Sequence, residues 1–87
     1  MIDRIEGLTP GETAIVGALC TARAEDGVTP VAASEISRRL GMARLSIKVM
    51  IRSIRTKRPD IDIRSFIGPY GGYWLSDDGL RAAGGVA

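Results

Sequence analysis

The sequence contains no histidine, and its 87 residues include a single cysteine, Cys20. One cysteine excludes an internal disulfide, and without histidine a zinc site of the usual Cys/His kind is excluded, so we expect no metal and no cofactor. Histidine is also the commonest general base, and no nucleophile motif is present. We therefore expect that the chain is not an enzyme. The lone thiol fits a reducing compartment, and we expect a cytoplasmic protein.

Long apolar runs are also missing, and no signal-peptide pattern opens the chain. A membrane-spanning helix needs about 20 consecutive apolar residues, so we expect no membrane partner. Hydrophobic residues make up 45% of the chain, which is ordinary for a globular protein and argues against disorder. The length allows one small domain with a modest core.

Net charge is small, at +2, but its distribution along the chain is uneven. Residues 34–64 contain nine Lys or Arg against three acids, a local charge of +6, and the remainder carries −4. A molecule polarised in this way approaches a polyanion with its basic face first.

The most informative stretch, residues 33–58, indicates a helix, a tight turn and a second, basic helix. Ile36 and Leu40 lie four apart on one face of the first helix. Gly41 follows where a helix needs a residue that tolerates a positive φ in order to end. Ser34 is the predicted N-cap of this first helix.

The second helix, residues 44–58, has one apolar face and one basic face. Its apolar stripe consists of Ile47, Met50, Ile51 and Ile54. The opposite face suits a DNA major groove, because Lys and Arg reach phosphates and guanine edges while Leu or Val meets a thymine methyl. The alternative is a surface helix whose charges are merely solvated. The candidate DNA-binding residues here are Arg38, Arg39, Arg44, Leu45, Ser46, Lys48, Val49, Arg52, Arg55, Lys57 and Arg58.

A further helix is predicted before this stretch. Thr9 is its N-cap, Pro10 its first residue, and Glu12 falls where a capping box places a carboxylate. We expect it to run to about Ala22. Its predicted core face consists of Ile15, Val16, Leu19 and Ala22.

The segments that flank the basic stretch are short. Val28 and Val31 form either a brief bridging strand or a loop anchor. After Pro59, residues 61–65 alternate apolar and polar as in a half-buried strand, and residues 73–75 return after a glycine-rich loop at 68–72. Ser76 to Asp78 then cap a last helix at residues 79–83.

The order of these elements is that of a winged helix-turn-helix. We expect an α+β fold with a three-helix core, a C-terminal β-hairpin wing at residues 61–75 and a short last helix. The domain would span residues 9–83, after an N-terminal arm or short strand at 1–8 and before a flexible tail at 84–87. In this architecture the wing touches phosphates or a minor groove, and Arg64 and Tyr70 are its candidate contacts. Alternatively, Tyr70 lies on the domain's own surface.

Within the return strand only one parity faces inward. We expect Tyr73 and Leu75 to face the core. Trp74 is then either a partly exposed interface anchor or lid, or a residue that helps to close the small core.

Four segments resemble parts of known regulators. Residues 8–12 (L-T-P-G-E) and 46–57 (S-I-K-V-M-I-R-S-I-R-T-K) are similar to segments of the OmpR/PhoB-type effector domains of response regulators, and residues 71–75 (G-G-Y-W-L) match that family's closing pattern in part. Residues 73–81 (Y-W-L-S-D-D-G-L-R) resemble the segment that follows the wing in MarR-like and PadR-like regulators.

The departures are a short loop before the basic helix, no room for the N-terminal sheet and no receiver domain, so a phosphorylation switch is not carried over. The resemblance implies the winged helix-turn-helix superfamily and sequence-specific DNA binding. Lys48 and Arg52 would read bases, and Arg44, Arg55 and Lys57 would contact the backbone. For Arg55 the alternative is a structural ion pair with Asp60 or Asp62.

The expected function is therefore a DNA-binding transcriptional regulator that binds double-stranded DNA, with a homodimer expected because one recognition helix and one wing give modest affinity. The main alternative is a winged-helix protein–protein interaction or assembly module, in which Leu45 and Val49 would be contact residues. The same basic face also permits binding to RNA or to structured DNA.

Overall fold

The computed structural model describes residues 5–25, 30–68 and 71–84. It contains three helices, a two-stranded antiparallel hairpin and a last short helix, which confirms the predicted α+β layout of a small winged helix. The elements are α1 (Pro10–Glu25), α2 (Ala33–Leu40), α3 (Arg44–Lys57), β1 (Ile63–Phe66), β2 (Gly72–Leu75) and α4 (Asp77–Ala82).

The first helix begins as predicted with a capping box. The Thr9 N–H donates to Glu12 Oε1 at 2.9 Å, and the Glu12 N–H donates to Thr9 Oγ1 at 3.2 Å. The helix ends at Glu25, three residues later than the predicted end at Ala22. Its last turn is held by tertiary contact, because Arg23 donates to the Leu75 carbonyl of β2.

The turn between α2 and α3 is built as the sequence predicts. Gly41 has φ +69°, and its N–H donates to the Ser37 carbonyl at 2.8 Å. The predicted start of α2 was wrong, because Ala32 is the N-cap and Ser34 lies inside the first turn. Val31, one residue before this N-cap, forms a β-bridge to Tyr73, so pairing with the hairpin sets the direction of the chain where α2 begins.

The hairpin pairs Ile63 with Leu75 at one end and Phe66 with Gly72 at the other. The predicted strand began at residue 61, but Ile61 lies before β1 and is fully buried. The Val31 N–H and carbonyl both bond to the backbone of Tyr73 at 2.8 Å, which confirms the bridging segment on its Val31 side. Val28 and the wing residue Tyr70 lie outside the described residues.

The core lies between the three helices and the inner face of the hairpin. Ile47, Ile51 and Ile54 of α3 are at most 1% exposed, and Met50 is half-buried, which confirms the predicted apolar stripe. The largest fully buried side chains of the other segments are Ile15, Val16, Leu19, Ile36, Ile61 and Leu75. This packing holds α3 in a single rotational setting about its own axis.

The ends of the chain differ partly from expectation. Of the predicted N-terminal arm or strand, residues 1–4 lie outside the described residues, and residues 5–8 form a turn in which the Leu8 N–H donates to the Ile5 carbonyl at 3.1 Å. Ser76 caps the last helix by accepting from the Gly79 N–H at 3.0 Å, but that helix begins at Asp77, two residues before its predicted start. Across the described residues, no helix combines the length and hydropathy that a membrane crossing needs.

Candidate nucleic-acid interface

The outer face of α3 is exposed along its whole length. A helix turns by about 100° per residue, so the buried isoleucines leave the opposite side to solvent. Leu45 and Val49 lie on that side with 74% and 61% of their surface exposed, and Arg52 and Thr56 continue the same line. Two exposed aliphatic side chains one helical turn apart, beside exposed basic residues, mark this face as the candidate site.

The basic residues of α3 differ in what they contact. Arg44, Lys48 and Arg52 are exposed, and within the described part of the chain none of them has an acidic partner. Arg44 and Lys48 line an open pocket together with the N-cap of α2, Ala32, and its first two residues, Ala33 and Ser34. Three unpaired cations therefore lie on the outer face of α3 or at its edge nearest α2.

The arginines of α2 are engaged locally. Arg38 Nη2 lies 2.6 Å from Glu35 Oε2, Arg39 Nε lies 2.8 Å from the same oxygen, and Arg39 also reaches Glu25 at 3.4 Å. Hydrogen bonds from both guanidinium groups lower the pKa of Glu35 to about 2. This carboxylate is ionised at neutral pH, so the two arginines contribute less positive potential than their number suggests.

Lys57 joins the end of α3 to the start of α1. Its Nζ lies 2.9 Å and 3.2 Å from the two carboxylate oxygens of Glu12, which is only 3% exposed. Burial by itself would raise the pKa of Glu12, but hydrogen bonds from the Thr9 N–H, Ser53 and Lys57 lower it to about 2. Lys57 is therefore directed to α1 rather than to the outer face.

Arg58 is directed away from α3 in a similar manner. Its Nη2 lies 2.7 Å from Asp60 Oδ2, and its Nη1 donates to the Glu6 carbonyl at 2.8 Å. The hydrogen bond and charge of Asp60 raise the pKa of this guanidinium. The helix itself ends at Lys57, one residue before the predicted end.

Arg55 connects α3 to the wing. Its Nε and Nη2 donate to the Ile63 carbonyl at 3.1 and 2.6 Å, and Nη2 also donates to Ser65 Oγ at 2.7 Å. Its hydrogen-bond partners lie in β1, and among the described residues no direct ion pair joins it to Asp60 or Asp62. A hydrogen bond with Ser76 and the Arg64 guanidinium lower the pKa of Asp62, and the charge of Arg55 adds to this effect. Arg55 is exposed beside the outer face of α3.

The wing carries less unpaired charge than the sequence suggested. Arg64 Nε lies 3.1 Å from Asp62 Oδ2. Beyond it, Phe66 is 48% exposed and Ile67 is completely exposed at 102%. These two residues are not among the predicted contacts. The available signal in the sequence was that they interrupt the apolar–polar alternation of the strand. The described part of the wing therefore offers an apolar end.

Trp74 of β2 contacts both α1 and the neighbouring strand β1. The Arg23 guanidinium lies 4.4 Å from the centre of the indole ring, and the Phe66 ring meets that indole edge to face at 6.4 Å. Trp74 and Tyr73 are both half-buried, and Leu75 is fully buried. The predicted inward pair is confirmed: Leu75 is fully buried, and Tyr73 packs against the core while half-buried. Trp74 is partly exposed, which agrees with one of its two predicted alternatives.

Ser46 lies on the other flank of α3. It lines an open, mainly apolar groove together with Ala43, Leu45, Val49 and Met50. Ser46 is exposed, so its hydroxyl can meet a ligand that enters the groove from outside.

No family model, curated protein or solved structure matches this chain in the three comparisons made. In the described residues, no group of three or more His, Cys, Asp or Glu could hold a metal ion. Within the described residues, the site presents three cations without an acidic partner, a guanidinium that bonds to the wing, and two exposed aliphatic groups.

Proposed function

We propose that this chain is a winged helix-turn-helix protein that binds double-stranded DNA and regulates transcription, with α3 in the major groove. The observation that carries the proposal concerns the outer face of α3 and its edge nearest α2. Among the described residues, Arg44, Lys48 and Arg52 have no acidic partner there, while the neighbouring basic residues are engaged. Selective pairing leaves positive charge on the exposed side of α3, and the buried isoleucines of that helix fix its orientation.

The dimensions of α3 support this role. Its 14 residues give a length of roughly 21 Å at about 1.5 Å per residue, and a helix about 10–12 Å wide enters a major groove about 12 Å wide. Arg52 lies on the outward line and is assigned to a guanine edge, which its planar guanidinium can bind through two hydrogen bonds. Lys48 lies between this line and α2 and can reach either a base or a phosphate.

Backbone contacts are assigned to the edge nearest α2. A phosphate in the pocket lined by Arg44 and Lys48 would meet two cations beside the first turn of α2, where helix N–H groups face outward. Arg55 is assigned a second contact next to the wing. The wing would add Phe66 and Ile67 as apolar contacts to sugar or to a minor groove.

The first experiment is the titration of a labelled random-sequence duplex, followed by fluorescence anisotropy at several salt concentrations. We expect log affinity to fall linearly with log salt, with a slope of about −0.9 for each phosphate contacted. Substitution of Arg44 by Ala should reduce the magnitude of that slope by about 0.9, which is the contribution of one phosphate contact. The matched control is Arg81→Ala, because Arg81 lies on α4 and pairs with Asp78.

Base reading is tested on a duplex obtained by selection. Arg52→Ala should cost about 1–3 kcal/mol on the selected duplex and relax the preference at one position, whereas Lys48→Ala should weaken binding or alter a neighbouring position. Both variants should unfold at the parent temperature, because both side chains are exposed and unpaired. A variant that binds as the parent does would remove that residue from the proposed site.

The second candidate is an interaction or assembly module, which the exposure of Leu45 and Val49 favours. If the folded protein binds no duplex at low salt, the DNA proposal fails and a protein partner over these two residues becomes the better hypothesis. The homodimer stays a prediction, which sedimentation of the protein with and without duplex will measure.

A further inference from the structure

The outward line of α3 is aliphatic in its first half. Leu45 and Val49 are one helical turn apart and lie nearly opposite Ile47, Ile51 and Ile54. Arg44 and Lys48 are displaced from this line by a fraction of a turn, towards α2. Along the outward line, which would approach a ligand most closely, the first side chain able to form hydrogen bonds is therefore Arg52.

The cations next to this line restrict what can cover it. An aliphatic surface flanked by unpaired positive charge is complementary to a ligand that is anionic at its edges and apolar at its centre. The major groove of DNA has this character where thymine occurs, because phosphates line the groove and the thymine 5-methyl is the apolar group exposed on its floor. An aliphatic side chain also gains nothing from the hydrogen-bonding edges of a G·C pair, which it would desolvate.

We propose that Leu45 and Val49 read thymine methyl groups, so that the preferred duplex carries thymine at two positions facing the first half of α3. The inference rests on the proposed DNA binding and specifies which bases that site selects. The Cα atoms of the two residues are about 6 Å apart along the helix axis, and one base step is about 3.4 Å, so they face different base pairs. Arg52 lies one turn further along and reads a third position.

The test compares thymine with deoxyuridine, which lacks only the 5-methyl group. After selection of a preferred duplex, each thymine is replaced singly by deoxyuridine and affinity is measured by anisotropy at fixed salt. Burial of one methyl predicts a loss of about fourfold at each thymine that is read, and no loss at thymines elsewhere in the duplex.

The variants Leu45→Ala and Val49→Ala assign each methyl to a side chain. Each variant should bind the thymine duplex more weakly, yet it should no longer distinguish thymine from deoxyuridine at its own position. The control is Arg81→Ala, an exposed residue of α4 outside the proposed interface, which should retain both the parent's affinity and the full discrimination. All three side chains are largely exposed, so thermal unfolding should stay close to that of the parent.

The outcomes separate this inference from the proposed function. If the protein binds duplex but no deoxyuridine substitution weakens it, methyl reading is wrong and DNA binding stands. If discrimination persists in both α3 variants, the methyl groups act through other residues or DNA shape, and the inference is again overturned. If no duplex is bound even at low salt, the proposed function fails and the inference falls with it.

Discussion

The guanidinium of Arg55 in α3 donates two hydrogen bonds, of 3.1 and 2.6 Å, to the carbonyl oxygen of Ile63 in β1. The contact joins the last turns of the candidate recognition helix to the first residue of the wing strand. It also gives the Ile63 carbonyl a hydrogen-bond donor on the β1 side of the hairpin. On the β2 side, Tyr73 already pairs with Val31. Arg55 thus helps to set the position of the wing relative to α3.

Arg55→Ala should loosen the wing. Loss of hydrogen bonds from a charged donor to part-buried acceptors should reduce the free energy of unfolding by about 1–2 kcal/mol. Thermal unfolding measures the loss, and faster hydrogen exchange at β1 amides would locate it. The matched control is Arg52→Ala, one turn earlier and without an acidic partner in the described chain, which should leave both quantities unchanged. Equal stability of the two variants would show that Arg55 does not hold the wing.

The Glu12 carboxylate should make stability depend on acid pH. Its pKa is about 2 in the folded protein against an ordinary value of 4.5, so the unfolded chain binds more protons between these values. The stabilisation is present above about pH 4.5 and is lost as the pH falls towards 2. Denaturant unfolding across this range measures the slope.

Glu12→Gln is the variant that isolates this contribution. It should lower the free energy of unfolding at neutral pH by about 1–2 kcal/mol, because it weakens the cap and the contact with Lys57, and its stability should vary less between pH 2 and 4.5. Glu35→Gln is the comparison, because the pKa of Glu35 is also lowered to about 2 but its ion pairs lie at a more exposed site, where solvent screens the charge, so this variant should lose less stability. A Glu12→Gln profile as steep as that of the parent would contradict the assignment.

Two glycines should respond to alanine in opposite directions. A Cβ on Gly72 would meet the Val31 carbonyl and lie 2.7 Å from the Ala32 N atom, so Gly72→Ala should destabilise the fold by about 1–3 kcal/mol. A Cβ on Gly17 in α1 meets nothing within 4 Å, so Gly17→Ala should stabilise it by about 0.5–1 kcal/mol through helix propensity. Chemical denaturation measures both. A Gly72→Ala protein as stable as the parent would contradict the close approach of Val31 to Gly72, and a destabilised Gly17→Ala protein would contradict the open space at Gly17.

The two faces of α3 should respond differently to a charge. Ile51 is 1% exposed, so Ile51→Asp places a carboxylate in the core and should unfold the domain. Val49→Asp makes the same kind of change two residues earlier on the exposed face and should preserve the helical circular dichroism spectrum. A folded Ile51→Asp protein would show that the orientation of α3 is wrong.

Much of the architecture could be predicted from local sequence. The capping box at Thr9, the positive φ at Gly41 and the cap at Ser76 were all predictable, because each depends on residues within four positions of one another. The N-cap of α2 was misassigned to Ser34 because the Val31 bridge to Tyr73, which joins distant parts of the chain, sets that boundary. The extra turn of α1 depends in the same manner on Arg23 and β2.

The candidate site was only partly predictable. Charge density along residues 34–64 indicated a basic surface, and periodicity indicated which side of α3 faces outward. Neither the charge density nor the periodicity indicated that Lys57 pairs with Glu12, 45 residues away, or that Arg55 bonds to β1. A charge count weighs all basic residues equally, whereas the potential at a surface depends on which of them have partners.

Local sequence was enough to predict the order of the elements and the buried face of α3, because caps and hydrophobic periodicity act over one or two turns of chain. The pairing of the basic residues follows from the folded chain alone: Arg44, Lys48 and Arg52 face solvent without an acidic partner in the described chain, while Lys57, Arg58 and Arg64 are paired. Ion pairs and hydrogen bonds form only when groups come within a few ångströms, and folding brings together groups that lie far apart in the sequence.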